Sequence, residues 1–412
     1  MADHDGVAPD PATRQTGPLS GITVLDITRV VAGPYCSKLL ADLGATVIKV
    51  ENPSDPDYAR TFPPFAGDTK TSAFFAQYNH NKKGITLDLK SAEGRDLLRA
   101  LVRKVDVLVE NFRPGTMDKL GVGYDVLATE NPALVYTAIS GFGRTGPNAS
   151  RPAFDNSGQA AGGLWSMNGY ADRPPVRVGT IIGDLSASLY AAFGTLAALR
   201  EAERTGRGQV VDISQQDSIL SLTENAVIRY TLENDLAAPM GNDHPFVRPY
   251  GQYPCKDGYV FFGGYTDKFW AITCEMFGEP GIASDPAIDT MEKRFDKDTY
   301  ETRVRPIIET WFSRHTKAEL EEMAGDRIPL SAIKTIGEVV EDPHIAERKM
   351  IIDVPVDSDM VRMFGNPVHL SAYTSDTAAP APLVGADNEE VYAALAGVDA
   401  GEIAKLKSKG VI

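Results

Sequence analysis

Short apolar runs alternate with amphipathic stretches through the first half of the chain. GITVLDI (21–27) is a β-rich run, and Gly33-Pro34 punctuates the loop behind it. YCSKLLADLGA then carries Leu39, Leu40 and Leu43 at helical spacing, Gly44 reads as the stop, and TVIKVE (46–51) is the next strand. A strand, a helix and a second strand in that order mark a parallel sheet with crossover connections. The pattern recurs. ITLDL (85–89) leads through the helix SAEGRDLLRALVRKV to the strand DVLVENF (106–112). A helix around Met117 to Leu127 precedes the strand ALVYTAIS (133–140), and a long helix over 185–204 precedes the strand GQVVDIS (208–214). The expected fold class is α/β with a doubly wound sheet.

From about residue 225 the texture changes. Aromatics crowd into RPYGQYPCKDGYVFFGGYTDKFW, which predicts a β-hairpin turning at Lys256-Asp257-Gly258, with helices near 267–277, 298–313 and 316–324. These shifts divide the chain into a disordered tail (1–18), a large domain (19–224), a small α+β domain (225–330) and a C-terminal segment (331–412).

Composition narrows the class. The 412 residues include 41 Lys+Arg and 56 Asp+Glu, a formal net charge of −15. That excess argues against a nucleic-acid partner, which needs a basic surface. A polyanionic small ligand needs only a local cationic patch. Residues 1–120 hold 15 Lys+Arg and 15 Asp+Glu, so the whole deficit lies in 121–412. Cys36, Cys255 and Cys274 are far apart and read as reduced thiols. The six histidines show no metal-ligand spacing, so no metal is expected. The N-terminus lacks the apolar core of a secretory signal, and no apolar stretch is expected to reach the roughly 18 residues of a membrane span. A cytoplasmic protein with no membrane partner is the expectation.

Several motifs bear on chemistry. GFGRTG (141–146) fits G-x-G-x-x-G, but Pro147, Asn148, Ser150 and Pro152 follow it. No helix can open there to hold a pyrophosphate, so a Gly-rich turn is the reading, and no nucleotide cofactor of that kind is expected. No nucleophile elbow and no phosphate-binding Lys loop occur. Asp184, in GTIIGDLSASLY, stands directly before the long helix. It reads first as an N-cap and, compatibly with that, as a pre-oriented anionic nucleophile if Gly183 leaves it uncovered. Arg29, Lys49, Lys82, Lys83, Lys90, Arg113 and Lys119 read either as solvated surface or as a phosphate-binding rim. Gly263-Gly264, after the strand YVFF, permits a close backbone approach, a mobile flap or a plain turn. His244 and Arg248, in NDHPFVRPYG, read either as structural residues or as groups facing an acceptor carboxylate.

A set of blocks then occurs in one order: PLSGITVLDITRVVAGPYCSKLLADLGATVIKVE, NKKGITLDLKSAEGRDLL, DVLVENFRPGTMDKLG, SGFGRTGP, GDLSASLYAAFGTLAAL, GRGQVVDIS, DGYVFFGG, DPHIAERKM and PAPLVGADNEEV. In these the chain resembles the family III CoA-transferases, the carnitine and bile-acid CoA-transferase group, whose relatives include formyl-CoA transferase and the α-methylacyl-CoA racemases. The resemblance covers nearly everything after residue 18. It implies a Rossmann-like large domain with a small inserted domain, a C-terminal segment returning to the large domain, and two interlocked subunits, identical or paralogous. It implies acyl-CoA and a carboxylic acid as substrates, with CoA as the only cofactor-like ligand.

By the same resemblance Asp184 falls on the catalytic aspartate. Arg29, Val30, Ala32, Leu87, Leu89, Lys90, Asn111, Phe112, Arg113 and Lys119 fall at or beside positions that hold CoA. Gly263 and Gly264 match the glycine loop that shields the intermediate. Asn52 departs from members that carry Arg there. The racemases have His before Asp in the segment equivalent to PAFDNSG (152–158), where this chain has Phe154 before Asp155. Racemisation needs acid/base groups on both faces of an α-carbon, and Phe154 supplies none. The expectation is therefore a CoA-transferase with Asp155 as a second polar group at the thioester. The helix N-terminus at 185–187 and Gly263-Gly264 would supply oxyanion donors. A racemase and a CoA-binding protein without turnover are the alternatives.

Overall fold

The structure, a computed structural model, describes residues 17–374 and 378–412. Residues 1–16, most of the expected tail, and part of the Pro/Ala-rich stretch near 377–383 lie outside the described residues. The chain divides into two compact units. The first combines Met1–Trp165, Arg177–Glu233 and Glu347–Ile412, and the second combines Ser166–Val176 with Asn234–Ala346. The C-terminal segment divides, with residues 331–346 in the second unit and the return to the first beginning at Glu347, and helix Ala226–Glu233 stays in the first unit, although the aromatic texture placed a boundary at 225.

In the first unit six strands form one sheet: β1 (Thr23–Asp26), β2 (Thr46–Glu51), β3 (Lys82–Thr86), β4 (Val107–Glu110), β5 (Val135–Ser140) and β6 (Val210–Ser214). All pairs are parallel, in the order β3-β2-β1-β4-β5-β6. The chain starts at the centre, winds outward, then returns to build the other half. Such an order leaves a crevice at the carboxyl ends of the central strands.

The strands read as near-continuous apolar runs because both faces are covered. Alternate residues go to opposite sides. Val24, Val47, Val107 and Val109 join α1 (Ala32–Asp42), while Leu25, Ile48 and Leu108 join α2 (Ala92–Val102). Three further helices matter for the site: α3 (Asp155–Ala161), α4 (Ile182–Thr205) and α5 (Gln215–Leu220). The C-terminal helix α6 (Ala400–Ser408) adds Ile403 and Leu406 to the α2 side.

Small residues let α4 lie close to the sheet. Its buried positions include Ala187, Ala191, Thr195, Ala198 and Ala202, one helical face, and Thr195 Oγ1 meets Thr137 Oγ1 at 2.6 Å. This helix corrects one expectation. It is long and apolar enough to cross a membrane by length and composition, because Asp184 is the only charged residue from Ile181 to Leu199, yet half of its most apolar window is buried inside the protein.

The second unit carries a three-stranded antiparallel sheet of β7 (Gly251–Cys255), β8 (Gly258–Phe262) and β9 (Leu330–Ala332), in the order β9-β8-β7. Cys255 pairs with Gly258, so the hairpin turns on Lys256-Asp257 alone. Its core is aromatic: Trp270, Trp311, Phe312, Tyr253 and Phe262 are all buried, and Phe277 stacks on Trp311 at 4.9 Å. Arg248 and His244 are used inside this unit. Arg248 Nη1 donates to the Phe295 carbonyl at 3.1 Å, with its guanidinium 5.9 Å over Tyr300. His244 Nδ1 accepts from the Val247 N–H at 3.3 Å, and its ring packs edge-on against Phe246 and Tyr250.

Candidate active site

The carboxyl ends of the central strands open into two adjoining cavities of the first unit. The inner one, about 230 Å³, is lined by the loop after β1 (Arg29 to Ala32), by Asn111 and Phe112 after β4, by Ser140 and Gly141 at the end of β5, and by Phe154, Asp184 and Gln215. The outer one, about 320 Å³, is lined by Val50 and Asn52 of the β2 end, by Leu87 to Lys90 after β3, and by Phe112, Thr116 and Lys119. Arg29 and Phe112 line both.

Asp184 is the acidic residue of the inner cavity. It is not the N-cap of α4. That position is Ile181, which makes no side-chain cap, and Asp184 sits in the first turn. The cap comes from elsewhere. Asp155, at the start of α3, accepts the Gly183 N–H at 2.7 Å and the Asp184 N–H at 3.1 Å on Oδ1, while its Oδ2 accepts from Gln159 Nε2 at 2.7 Å. A Cβ on Gly183 would stand 2.9 Å from the Asp155 carbonyl and carboxylate oxygens, so the close approach requires glycine. Asp155 thus satisfies two of the orphan donors of α4, those of Gly183 and Asp184, and leaves the Asp184 side chain for other work.

Gln215, which sequence reasoning did not single out, meets that side chain. It opens α5 directly after β6, and its Nε2 donates to Asp184 Oδ1. Burial first, and the Asp155 charge second, raise the Asp184 carboxyl from 3.8 to about 7, against the opposing pull of the Gln215 hydrogen bond. The one available signal for Gln215 was its place at a strand's carboxyl end, where open α/β sheets put their ligands.

The floor of the cavity is held in a strained shape. Val30 has φ +67°, a rare conformation for a β-branched residue. Its neighbours over-determine it. Val30 N donates to the Asp57 carboxylate at 3.1 Å, and Asn111 exchanges hydrogen bonds with the Arg29 backbone, both at 2.9 Å. Strain held in this way is a common mark of functional sites.

The cations sort into two groups. Lys49 and Lys82 are buried in internal pairs, with Asp57 at 3.0 Å and Asp26 at 2.9 Å, and do not form a rim. Lys83 pairs with Glu390 on the surface. Lys90 and Lys119 are exposed at the outer cavity, with no ion-pair partner among the described residues. Arg29 leans on Asp55 at 2.9 Å between the two cavities. Arg113 is exposed but lines neither. The expected oxyanion donors at 185–187 are spent, since the Leu185 N–H bonds the Ile181 carbonyl at 3.0 Å and the positions after it lie inside the helix. The Gly263 N–H likewise bonds the Pro329 carbonyl at 2.9 Å, and a Cβ on Gly264 would strike the Phe262 ring at 2.1 Å, which explains that glycine by packing.

The loop GFGRTG opens no helix. It turns at Gly143 and Gly146, and the Arg144 N–H is held by Asp212 at 3.0 Å. A carboxylate therefore stands beside a cation-edged cleft at the carboxyl ends of the central strands, and GFGRTG offers no helix end to a dinucleotide. Residues 19–388 match the CoA-transferase family III.

The chain belongs to this family.

Relatives extend along nearly the whole chain. It is 36% identical over 377 residues to the succinyl-CoA:mesaconate CoA-transferase of Haloarcula hispanica, covering 89% of this chain and 94% of that protein. It is 36% identical over 403 residues to the succinyl-CoA–D-citramalate CoA-transferase of Chloroflexus aurantiacus, covering 97% of this chain and 99% of that one. A CAIB/BAIF family protein from Brucella suis has the same fold, with a TM-score of 0.82, 32% identity, and coverage of 92% of this chain and 100% of that chain. The protein is thus an enzyme that moves CoA between carboxylic acids, with CoA thioesters as substrates.

In this CoA-transferase Asn52 lines the outer cavity with its side chain already committed, donating to Asp88 at 3.0 Å and accepting from Ser54 and Asp55. Phe154 stands 76% exposed at the inner cavity and offers no acid or base.

Proposed function

We propose that this CoA-transferase works by nucleophilic catalysis on Asp184, with succinyl-CoA or another dicarboxylyl-CoA as donor and a small dicarboxylic acid as acceptor. The supporting observation is the Asp184 carboxylate itself. It lines a cavity adjoining a cation-edged cleft of about 320 Å³, and another residue performs the capping that would otherwise occupy it. The succinyl-CoA donor rests on the names of the Haloarcula and Chloroflexus relatives.

An Asp184 oxygen attacks the donor thioester carbonyl. The C–S bond breaks, CoA leaves as thiolate, and a mixed anhydride remains on the enzyme. The thiolate then attacks the Asp184 carbonyl carbon. The donor acid departs with the attacking oxygen, and an aspartyl-CoA thioester forms. The acceptor carboxylate attacks that thioester and releases the thiolate, which attacks the acceptor's carbonyl. Acceptor acyl-CoA leaves, and Asp184 regains an oxygen from the acceptor. Thioester energy is passed along at every step. Asp155 keeps the nucleophile's helix start in place, while Lys90, Lys119 and Arg29 meet the CoA phosphates and Leu87, Leu89 and Phe112 its apolar contacts.

The assembly we propose is an interlocked homodimer. Leu189, Phe193, Leu220, Ile228 and Leu232 form exposed apolar surface of the first unit, and the Tyr190 hydroxyl to Ser221 Oγ contact at 2.8 Å joins the two helices that carry the first three.

Asp184→Ala should lose transfer and still bind CoA. Incubating the wild type with donor and hydroxylamine should yield a hydroxamate on Asp184. Unchanged turnover in the variant, or no hydroxamate, overturns the assignment.

A further inference from the structure

Gln215 is an odd residue to bury. Its side chain packs among Gly158, Gly141 and the Asp184 carboxylate, and its Oε1 is fully enclosed with no hydrogen-bond partner among the described residues. A buried amide oxygen without a partner destabilises the fold, so folding alone does not explain this choice. The other end of the amide does. Nε2 donates to Asp184 Oδ1, and Asp184 Oδ2 accepts no hydrogen bond among the described residues. A rotated amide would set Oε1 against the carboxylate, acceptor facing acceptor. The ionised carboxylate therefore holds the amide in one orientation, and the amide holds the carboxylate.

Little else in the surroundings can move. Ser214 caps α5, accepting the Asp217 N–H at 2.9 Å, and the Gln216 N–H bonds the Gly141 carbonyl at 3.1 Å. Gly158 abuts the Gln215 Cβ closely enough that a Cβ of its own would stand 2.7 Å away. The Asp184 backbone is tied to Asp155 at 3.1 Å.

We propose that Gln215 is a positioning residue that makes the two oxygens of Asp184 inequivalent throughout the catalytic cycle: Oδ1 stays as the carbonyl oxygen, and Oδ2 alone attacks, leaves with the donor acid and is replaced from the acceptor. The inference rests on Asp184 being the nucleophile. In each turnover the donor acid takes one oxygen from Asp184 and the acceptor acid gives one back. With the clamp in place the replaced atom is always the same one. Without it the carboxylate turns over between cycles, and both oxygens are replaced.

The test is an oxygen count. The enzyme is run through many turnovers with unlabelled succinyl-CoA and an excess of a dicarboxylic acceptor whose carboxylates carry heavy oxygen. The acceptor is chosen beforehand by screening for turnover. The peptide containing Asp184 is then weighed by mass spectrometry. One heavy oxygen, constant however many turnovers are run, is the expected result. Two heavy oxygens in the wild type overturn the clamp while leaving Asp184 as nucleophile. No heavy oxygen in a preparation that has turned over overturns the nucleophile itself, and the clamp with it. Gln215→Met keeps the volume and removes the donor. It should admit the second heavy oxygen, lower kcat by about tenfold to a hundredfold, and leave the KM for acyl-CoA within about twofold. A folded Gln215→Met enzyme that still gains only one heavy oxygen also overturns the proposal. If that variant does not fold, the wild-type count decides alone.

Discussion

Replacing Asp184 by Asn should stabilise the enzyme while disabling it, and the gain should depend on pH in a defined way. Asp184 titrates near 7 in the folded protein against 3.8 as a free carboxyl, first because it is buried and then because Asp155 lies beside it. Ionising it inside the fold therefore costs about 4 kcal/mol relative to the unfolded chain, and partial solvent access reduces that to about 2–4 kcal/mol. The sign follows from proton binding. Below 3.8 both states carry the proton and the penalty is absent; between 3.8 and 7 only the folded state holds it, so stability falls as pH rises; above 7 the full penalty is in force. Asparagine keeps the shape, still accepts from Gln215 and never ionises. Scanning calorimetry of both proteins should show melting temperatures close together at about pH 4 and separated by roughly 2–5 °C, variant higher, at about pH 8.5. A gap of equal size at both pH values, or a variant less stable at the higher one, would refute the account of Asp184 as an ionised group held against its surroundings.

Further outcomes follow from the same geometry. The kcat/KM of the wild type should fall on the acid side with an apparent pKa near 7, and Asp155→Asn should move that limb to lower pH by removing the neighbouring negative charge, while loss of the full cap costs about 1 kcal/mol of stability. The pH–rate profiles of the two enzymes check this, and an unmoved limb in the variant counts against it. Charge reversal at Lys90 or Lys119 should raise the KM for acyl-CoA by about tenfold with kcat unchanged and a shallower salt dependence, as steady-state kinetics at two ionic strengths would show. Phe193→Glu, at a side chain 72% exposed, should convert the proposed dimer to monomers in sedimentation experiments; a dimer that survives would place the interface elsewhere.

Local pattern carried the architecture further than it carried the site. The β-α-β start, the aromatic hairpin and the long helix were legible because buried parallel strands announce themselves as apolar runs. Boundaries slipped where polar residues are buried inside strands. Strand β3 begins at Lys82, three residues before the apolar run at 85, because Lys82 is neutralised by Asp26 within the core. The same cause misplaced Lys49 and Lys82 on a surface rim. At the site, Asp184 stood out by its place before a helix, but its role as cap went to Asp155, 29 residues earlier, and no local rule sees a cap delivered by another helix. Gln215 was silent for a related reason. Its importance lies in one contact with Asp184, 31 residues away, and in an oxygen left without a partner.

The two cavities share Arg29 and Phe112 in their linings, and that shared pair has a consequence for traffic. On the proposed mechanism, a CoA moored by its nucleotide in the outer cavity would lead its pantetheine arm past those two side chains to reach Asp184. Once threaded, the arm would have no need to withdraw between half-reactions, since on that mechanism the thiol only shuttles between the acid and the aspartate. The enzyme would then work as a turnstile for acids around a tethered carrier. Its throughput would be governed by how fast one small carboxylate clears the inner chamber and the next arrives, with the exchange of CoA itself left for the ends of the cycle.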